Sequence, residues 1–357
     1  MKICVVGAGS IGGFLGVKLH NAGHDITLIA RGAHLKAIRD DGLRLIMNDG
    51  TEELAAGVAA TDNMQQLGPQ DLVVLGLKSQ QIGPVAEQVR TLFGPDTIVL
   101  TTQNGIPWWY FQRHGGAFDG RGIDAVDPDG RIAANIEPER IIGCIAYPAA
   151  EIARPGVIRH IEGMRFPLGE LDRSESERVQ MLSAMLADAG LKAPVLTDIR
   201  SELWLKLWGN LSFNPISALT HSTLVEICQF PDTRKLAEQM MTEAQDVAHK
   251  LGIQFRVPLE KRIAGAQRVG NHKTSMLQDV EVGKALEVEA LIGAVVELGD
   301  LTETPTPHID AVLALVRLLS HTISEEGIAV RGMPWQPAAA VPSASQAPER
   351  AVAGSRT

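Results

Sequence analysis

The chain has 357 residues, which is too many for one ordinary domain and enough for two. Its composition, 45% hydrophobic and 21% charged, is typical of a globular protein with substantial cores. The 33 basic and 42 acidic residues leave a net charge of −9, which argues against nucleic acid or an anionic membrane as the main partner, because both bind basic surfaces.

The N-terminal part alternates strand-like and helix-like patterns. Short buried strands are predicted at 3–6, 26–29, 71–77 and 97–101, and a helix at 11–22 that Gly23 ends. Strands that alternate with helices predict a parallel sheet covered on both faces.

The segment 106–140 is rich in Gly, Asp and Arg and carries Trp108, Trp109, Tyr110 and Phe111. We interpret it as a long excursion between strands, and strand patterning returns at 141–146 and 156–161. From about residue 196 the spacing of apolar residues becomes helical, with helices predicted at 198–208, 233–251, 286–298 and 309–324.

Three regions follow from these patterns. We predict a dinucleotide-binding Rossmann domain at 1–196, an all-helical substrate and catalytic domain at 197–333, and a disordered tail at 334–357 that is dominated by Ala, Pro and Ser. The fold class is therefore α/β for the N-terminal domain and helical for the C-terminal domain.

The cysteines and the apolar runs bear on the compartment. Cys4, Cys144 and Cys228 are too far apart for a disulfide framework or a zinc ligand pair, which favours a reducing compartment. The N-terminus leaves no room for a signal peptide, and no apolar run is long enough to span a membrane. We expect a cytoplasmic protein.

The first motif with a chemical meaning is Gly7-Ala8-Gly9-Ser10-Ile11-Gly12, which matches G-x-G-x-x-G between a predicted strand and a predicted helix. In this context the glycines allow a tight turn, close approach of the backbone to a pyrophosphate and close packing of the helix. The helix N-terminus then offers free N–H groups to the phosphates. A glycine-rich turn without a ligand is the less favoured alternative.

The residue after the second strand indicates which nicotinamide cofactor binds. An NAD site usually has an acidic residue there, which holds the ribose 2′-hydroxyl. In this chain the strand is followed by Arg31, whose planar guanidinium suits a 2′-phosphate. The alternative is an ordinary surface arginine. The sequence therefore predicts NADP(H).

The segment 203–215 is apolar except for a narrow polar stripe. Lys206, Asn210 and Asn214 are four residues apart and fall on one face of a helix. A lysine in a buried helix is desolvated, which lowers its pKa and suits it to donate a proton near neutral pH. The alternative is a solvent-facing stripe, although asparagine supports helices poorly.

A second polar cluster spans 274–281 and continues to 287–289. From composition it is a helix end, a turn at 283–284 and a new helix with acids in its first turn, which needs no functional explanation. We find no metal motif and no G-x-S-x-G nucleophile. A hydride-transfer enzyme needs neither, because the cofactor carries the difficult step.

Together these segments resemble the ketopantoate reductase (2-dehydropantoate 2-reductase) family over about residues 1–330. The matching segments are 2–13, Arg31, Leu77-Lys78, Gln103-Asn104-Gly105, and the pair 202–215 with 274–279. The resemblance implies a Rossmann domain joined to a helical domain of the 6-phosphogluconate dehydrogenase type, with the site in the cleft between them. It also implies NADPH-dependent reduction of 2-dehydropantoate to pantoate in pantothenate and coenzyme A biosynthesis.

The resemblance assigns roles to single residues. Lys206 matches the proton donor, and Glu287 matches an acid near the nicotinamide and the substrate hydroxyl. Asn210 and Asn214 match residues that hold the substrate, and Ser275 matches one that binds its carboxylate. The remaining matches are Asn104, which contacts both the nicotinamide ribose and the substrate, and Lys78 and the backbone near Ala150, which contact the cofactor.

Three departures bear on the substrate. Leu286 stands where the family has a threonine, Leu224 stands where some members have a further substrate-binding asparagine, and the excursion with Trp108 and Trp109 is long. All three are expected near the substrate mouth, and a pocket that carries the two tryptophans would favour a bulkier substrate. A paralogue that reduces another 2-oxo acid or a bulkier ketone is therefore an alternative. A non-catalytic NADP-binding sensor is an alternative of another class. The oligomeric state also stays open, with a homodimer as one option.

Overall fold

The computed structural model describes residues 1–332, so the predicted tail at 334–357 lies outside the described residues. Within them, eleven strands form two sheets. The strands are β1 Lys2–Val6, β2 Asp25–Ile29, β3 Leu43–Ile46, β4 Glu52–Ala55, β5 Ala59–Thr61, β6 Gln70–Leu75, β7 Phe93–Thr101, β8 Ile141–Cys144, β9 Ala149–Arg154, β10 Val157–Glu162 and β11 Leu168–Glu170.

Twelve α-helices lie in the same described range. They are α1 Ser10–Asn21, α2 Gly32–Asp41, α3 Ala86–Arg90, α4 Arg131–Asn135, α5 Glu177–Asp188, α6 Ile199–Thr220, α7 Leu224–Gln229, α8 Pro231–Lys250, α9 Leu259–Val269, α10 Ser275–Glu281, α11 Ala294–Leu301 and α12 Pro307–Glu326. A π-helical segment, Glu289–Gly293, precedes α11. No helix among residues 1–332 is long and apolar enough to cross a membrane.

The larger sheet has the strand order β11-β8-β7-β6-β1-β2-β5 and is parallel except for β11. Strand β1, which lies between β6 and β2, is buried on both faces. Ile3 and Val5 join the core on one face, and Cys4 and Val6 join the core on the other. The prediction of a parallel Rossmann sheet and a helical C-terminal half is confirmed.

A second sheet, with the order β4-β3-β10-β9, was not predicted. It lies on the far side of α1, which packs between the two sheets. A Cβ at Gly13 would lie 2.9 Å from Ile158 on β10, and one at Gly16 would lie 2.6 Å from Leu28 on β2. Small residues on two faces of α1 therefore let both sheets approach the helix closely.

Helix α6 runs through the centre of the helical half and contacts α8, α10 and α12. It begins at Asp198, whose carboxylate accepts hydrogen bonds from the backbone N–H groups of Arg200 and Ser201. Pro215 lies inside the helix. The helix predicted at 198–208 therefore continues to Thr220, which places the whole polar stripe on one rigid element.

The excursion at 106–140 packs its aromatic residues into the core. Trp108 and Trp109 are each 2% exposed, and the Trp109 indole donates a hydrogen bond of 3.1 Å to Thr101 Oγ1. Tyr110 accepts a hydrogen bond of 2.7 Å from the indole of Trp204 on α6. The expectation that the two tryptophans line a pocket for a bulkier substrate is therefore wrong, since both are buried in the core, and the neighbouring Tyr110 joins the excursion to α6.

Candidate active site

The predicted phosphate-binding loop lies at the carboxyl end of β1. It comprises Gly7, Ala8, Gly9, Ser10, Ile11 and Gly12. Gly7 has a φ of +99°, and a Cβ there would lie 2.6 Å from Leu77 Cδ2, while one at Gly12 would lie 2.0 Å from the Gly7 carbonyl oxygen. The glycines therefore let β1, α1 and the loop after β6 meet closely.

The outer side of the same loop is open. A Cβ at Gly9 would meet no atom nearer than the Gly76 carbonyl oxygen, at 3.8 Å. Gly9 caps α1 and no capping side chain accepts from the helix, so the first N–H groups of this 12-residue helix are available to a ligand. The loop is closely packed on its inner side and has backbone N–H donors available on its outer side. This arrangement suits the pyrophosphate of a dinucleotide.

Two of the other predicted cofactor contacts follow strands of the larger sheet at the same edge as the loop, and the third lies on the second sheet. Arg31 follows β2, is exposed, and makes no side-chain hydrogen bond with any residue from 1 to 332. Ala150 lies on β9, which packs against α1. Lys78 follows β6, and its ammonium donates to Asp279 Oδ2 at 2.6 Å and to the Ala285 carbonyl at 2.8 Å. Lys78 thus links the sheet edge to the helical half.

At the centre of this edge, three distant parts of the chain meet. Lys206 on α6 donates a hydrogen bond of 2.6 Å to Asn104 Oδ1 and another to the Ala146 carbonyl. Asn104 follows β7, and its amide donates to Glu287 Oε2 at 3.4 Å. The structure therefore brings together Lys206, Asn104 and Glu287, which the sequence could connect only through the family resemblance.

Burial shifts the pKa of both ionisable members of this cluster. It lowers the pKa of Lys206 to about 8, and the negative charge of Glu287 and the Cys144 thiol partly oppose that shift. Burial also raises the pKa of Glu287, against the opposing effects of Lys78 and Asn104. An ammonium group with a pKa near 8 is still protonated at neutral pH and can release its proton readily.

The rest of the polar stripe faces the start of α10. Asn214 is buried, and its amide donates a hydrogen bond of 3.5 Å to Ser275 Oγ. Ser275 is exposed and follows Thr274, which caps α10. Asn210 is half-buried one turn after Lys206 and makes no side-chain hydrogen bond within residues 1–332. The polar cluster that composition left without a function thus contributes Ser275 and Glu287 to the site.

A charged network beside Lys206 was not predicted. The Glu202 side chain is 1% exposed and accepts hydrogen bonds from Tyr147 Oη at 2.8 Å, from Arg256 at 2.7 Å and from Arg165. The Tyr147 ring lies 5.8 Å from the Lys206 ammonium. Glu202 precedes Lys206 by one turn in an apolar helix, which was a usable signal, but its partners lie far away in sequence.

A cavity lies outside this cluster. It has a volume of about 570 Å³ and is lined by residues that include Gln80, Asp127, Leu286, Glu289 and Arg317. Lys206, Asn210 and Asn214 do not line it. Leu286, which stands where the family has a threonine, therefore lines this cavity and directly precedes Glu287.

The geometry agrees with comparisons to known protein families. The model of the family described as ketopantoate reductase PanE/ApbA matches residues 3–173, and that of its C-terminal domain matches residues 198–320. The chain belongs to the ketopantoate reductase family. The predicted membership is thus confirmed, and the site described above lies where the two matched regions meet.

Individual relatives cover nearly the whole chain. A 2-dehydropantoate 2-reductase of Mesorhizobium japonicum is 54% identical over 321 residues, which are 90% of this chain and 98% of the relative. A crystal structure of a ketopantoate reductase candidate from Ralstonia solanacearum MolK2 has a TM-score of 0.86 at 39% identity and covers 90% of this chain and 98% of its own.

A more distant structure shares the fold. The ternary structure of D-mandelate dehydrogenase with NADH and anilino(oxo)acetate has a TM-score of 0.78 at 22% identity, and the match covers 91% of this chain and 100% of that one. The fold and the family make this chain an oxidoreductase of a dinucleotide-binding family.

Proposed function

We propose that the chain catalyses the NADPH-dependent reduction of 2-dehydropantoate to pantoate, a step of pantothenate and coenzyme A biosynthesis. The observation that carries this proposal is the hydrogen-bonded chain from Lys206 through Asn104 to Glu287, set beside an open glycine-rich loop. The 54% identity to a relative named 2-dehydropantoate 2-reductase supports the choice of substrate.

Lys206 is the proton donor in this proposal. NADPH, when bound, supplies the hydride that reduces the C2 ketone. The Lys206 ammonium then protonates the alkoxide oxygen, and its positive charge stabilises the negative charge that develops there. Its hydrogen bonds to Asn104 and to the Ala146 carbonyl hold the ammonium in place. Glu287 orients the Asn104 amide and keeps a negative charge close enough to retain the proton on Lys206.

The other residues bind and orient. Asn210, Asn214 and Ser275 line the helical side of the site and offer neutral hydrogen-bond groups to the 2-oxo acid. Arg31 binds the 2′-phosphate that distinguishes NADPH from NADH. The cofactor contacts proposed besides Arg31 are Gly7, Ala8, Gly9, Ser10, Ile11, Gly12, Lys78, Asn104, Ala150 and Glu287.

The direct test is NADPH oxidation followed by absorbance, with 2-dehydropantoate beside a panel of other 2-oxo acids and with NADH as the alternative cofactor. We expect selective turnover of 2-dehydropantoate with NADPH. Selective turnover of a different 2-oxo acid would keep the roles of the residues and reassign the substrate. NADPH binding without turnover of any compound would favour the non-catalytic sensor.

No feature of the described residues favours a bulkier substrate, because both tryptophans of the excursion are buried. A sensor would gain nothing from the desolvated Lys206, whose burial carries a free-energy cost. The reductase is therefore the function that the site supports best.

A further inference from the structure

Arg262 on α9 packs against α6 one helical turn after Lys206. A Cβ built at Gly209 would lie 2.1 Å from Nη2 and 2.7 Å from Cζ of Arg262. The guanidinium therefore fills the space that any other residue at 209 would occupy. Gly209 lies three residues after Lys206, so the two positions are neighbours on the surface of α6, at the border of the polar stripe.

The Arg262 guanidinium has no partner among residues 1–332. It is half-buried, and it makes neither a hydrogen bond nor an ion pair with any described side chain or carbonyl. The ionisable groups whose charges act on it are Tyr147 and Cys228. Burial raises the pKa of both, so neither is an anion at neutral pH.

Three other arginines near α6 have hydrogen-bond partners, unlike Arg262. Arg165 and Arg256 both pair with Glu202, whose remaining contact is Tyr147. Arg200 donates to three backbone carbonyls. A desolvated charge without a partner is costly, and burial indeed lowers the pKa of Arg262. A bound anion would remove that cost.

The packing on Gly209 places the guanidinium near the reacting end of the site. Gly209 lies one helical turn after Lys206, so the two cations occupy neighbouring positions along α6. The Tyr147 ring lies beside the same ammonium, 5.8 Å from it. A planar guanidinium is the side chain best matched to a carboxylate, which it can bind through two parallel hydrogen bonds.

We propose that Arg262 binds the carboxylate of the 2-oxo acid substrate. The inference rests on the proposed reduction of a 2-oxo acid at this site. The family resemblance assigns the carboxylate to Ser275, but that residue offers one neutral, exposed hydroxyl. Arg262 supplies the charge that a carboxylate needs, and Ser275, which accepts a hydrogen bond from Asn214, offers its neutral hydroxyl to the same substrate.

The test compares pantoate with its neutral lactone, pantolactone, by titration calorimetry on the NADP-loaded protein. Arg262→Met should weaken the binding of pantoate by roughly 10²-fold and leave that of pantolactone nearly unchanged. Arg262→Lys should restore part of the loss, and Ser275→Ala should cost less than Arg262→Met. Lys261→Met, at the exposed neighbouring position of α9, is the matched control and should bind both compounds like the unaltered protein.

Two further readouts separate binding from a structural role. With 2-dehydropantoate, Arg262→Met should raise KM by a similar factor with little change in kcat, because the ion pair exists before and during the reaction. Removal of an unpaired charge should leave the thermal midpoint of the free protein unchanged or higher. Equal losses for pantoate and pantolactone, no loss at all, or a lower thermal midpoint would each overturn the assignment.

Failure of the proposed function would look different. If the unaltered protein binds no pantoate but reduces another 2-oxo acid, the same comparison is made with that acid and its methyl ester, and the role of Arg262 is still decided. A protein that binds no 2-oxo acid overturns both proposals.

Discussion

The first turn of α6 and the turns that follow it differ in whether their buried charged and polar groups have hydrogen-bond partners. In the first turn, Arg200 is 1% exposed and donates to the carbonyls of Tyr110, Leu171 and Gln112 at 2.7, 2.6 and 2.8 Å. Glu202 accepts from three side chains, as described above. Every strong hydrogen-bonding group of this turn therefore has a partner within the fold.

The next turns carry groups that the fold leaves incomplete. The Lys206 ammonium has two acceptors for its three protons, and the Asn210 amide has no partner among residues 1–332. The Arg262 guanidinium, packed against Gly209, has none in that range either. We infer that the paired charges of the first turn hold the helix in place and that the incompletely paired groups after it bind a ligand. Variants at the two kinds of position should therefore fail in different assays.

The largest effect is expected at Lys206. Lys206→Ala removes the proposed proton donor and should lower kcat by roughly 10²- to 10⁴-fold, the usual contribution of a positioned general acid. The affinity for NADPH, measured by fluorescence titration, should stay nearly the same. Lys235→Ala, at an exposed position on α8, provides the matched control. Wild-type turnover in Lys206→Ala would remove this residue from the mechanism.

Arg200→Met tests the first turn of α6, whose charged groups have partners within the fold. It leaves three buried carbonyls without their donor and should lower the free energy of unfolding by roughly 3 kcal/mol. The kcat of the folded enzyme should stay close to that of the unaltered protein, because Arg200 does not reach the site. Urea unfolding and activity at low temperature measure the two effects separately.

The control for that experiment is Arg159→Met. Arg159 is exposed and pairs with Glu151 on the neighbouring strand, so its loss should change stability by less than about 1 kcal/mol. If Arg200→Met were as stable as Arg159→Met but inactive, the first turn would belong to the active site and the distinction drawn here would be wrong.

The sequence alone predicts the local features of the fold and of the site. The alternation of strands and helices, the glycine-rich loop and the i, i+4, i+8 spacing of Lys206, Asn210 and Asn214 are all periodic patterns within short segments, and the structure reproduces them. Periodicity reports which face of an element is buried, so it predicts the sheet, α1 and the stripe on α6.

The sequence alone does not predict which distant residues contact each other. Lys78 and Asp279 are 201 residues apart, and no local pattern connects them. Of the second sheet only the strand that became β10 was predicted, because strands such as β4 are short and mix polar with apolar residues. The two tryptophans were placed at a substrate mouth because aromatic residues suit both pockets and cores, and only tertiary packing distinguishes the two.

A smaller effect is expected at the cofactor end. Arg31→Ala should weaken NADPH binding by roughly 10- to 100-fold, since charge-assisted hydrogen bonds to the 2′-phosphate are lost. NADH, which lacks that phosphate, should bind nearly as before. Lys36→Ala, on the exposed face of α2, is the control for a general loss of positive charge. Equal losses for both cofactors would contradict the role of Arg31 as the reader of the phosphate.

The smallest effect, and the most specific, is the dependence of the reaction on pH. Burial lowers the pKa of Lys206 to about 8, so the ammonium form dominates below that pH and disappears above it. For reduction, kcat/KM should therefore be level near pH 7 and fall about tenfold per unit above pH 8. Oxidation of pantoate needs the neutral amine instead, so its rate should rise through the same pH.

A change at Glu287 should shift the pH at which Lys206 titrates. The Glu287 carboxylate raises the pKa of Lys206, so Glu287→Gln should move to lower pH both the fall in the rate of reduction and the rise in the rate of oxidation. In Lys206→Arg the guanidinium stays protonated throughout the range, and the alkaline limb should vanish from the residual activity. If the limb stayed near pH 8 in Lys206→Arg, or if reduction and oxidation fell together, a different group would be titrating. Lys206 would then belong with Arg200, among the charges that only hold α6 in place.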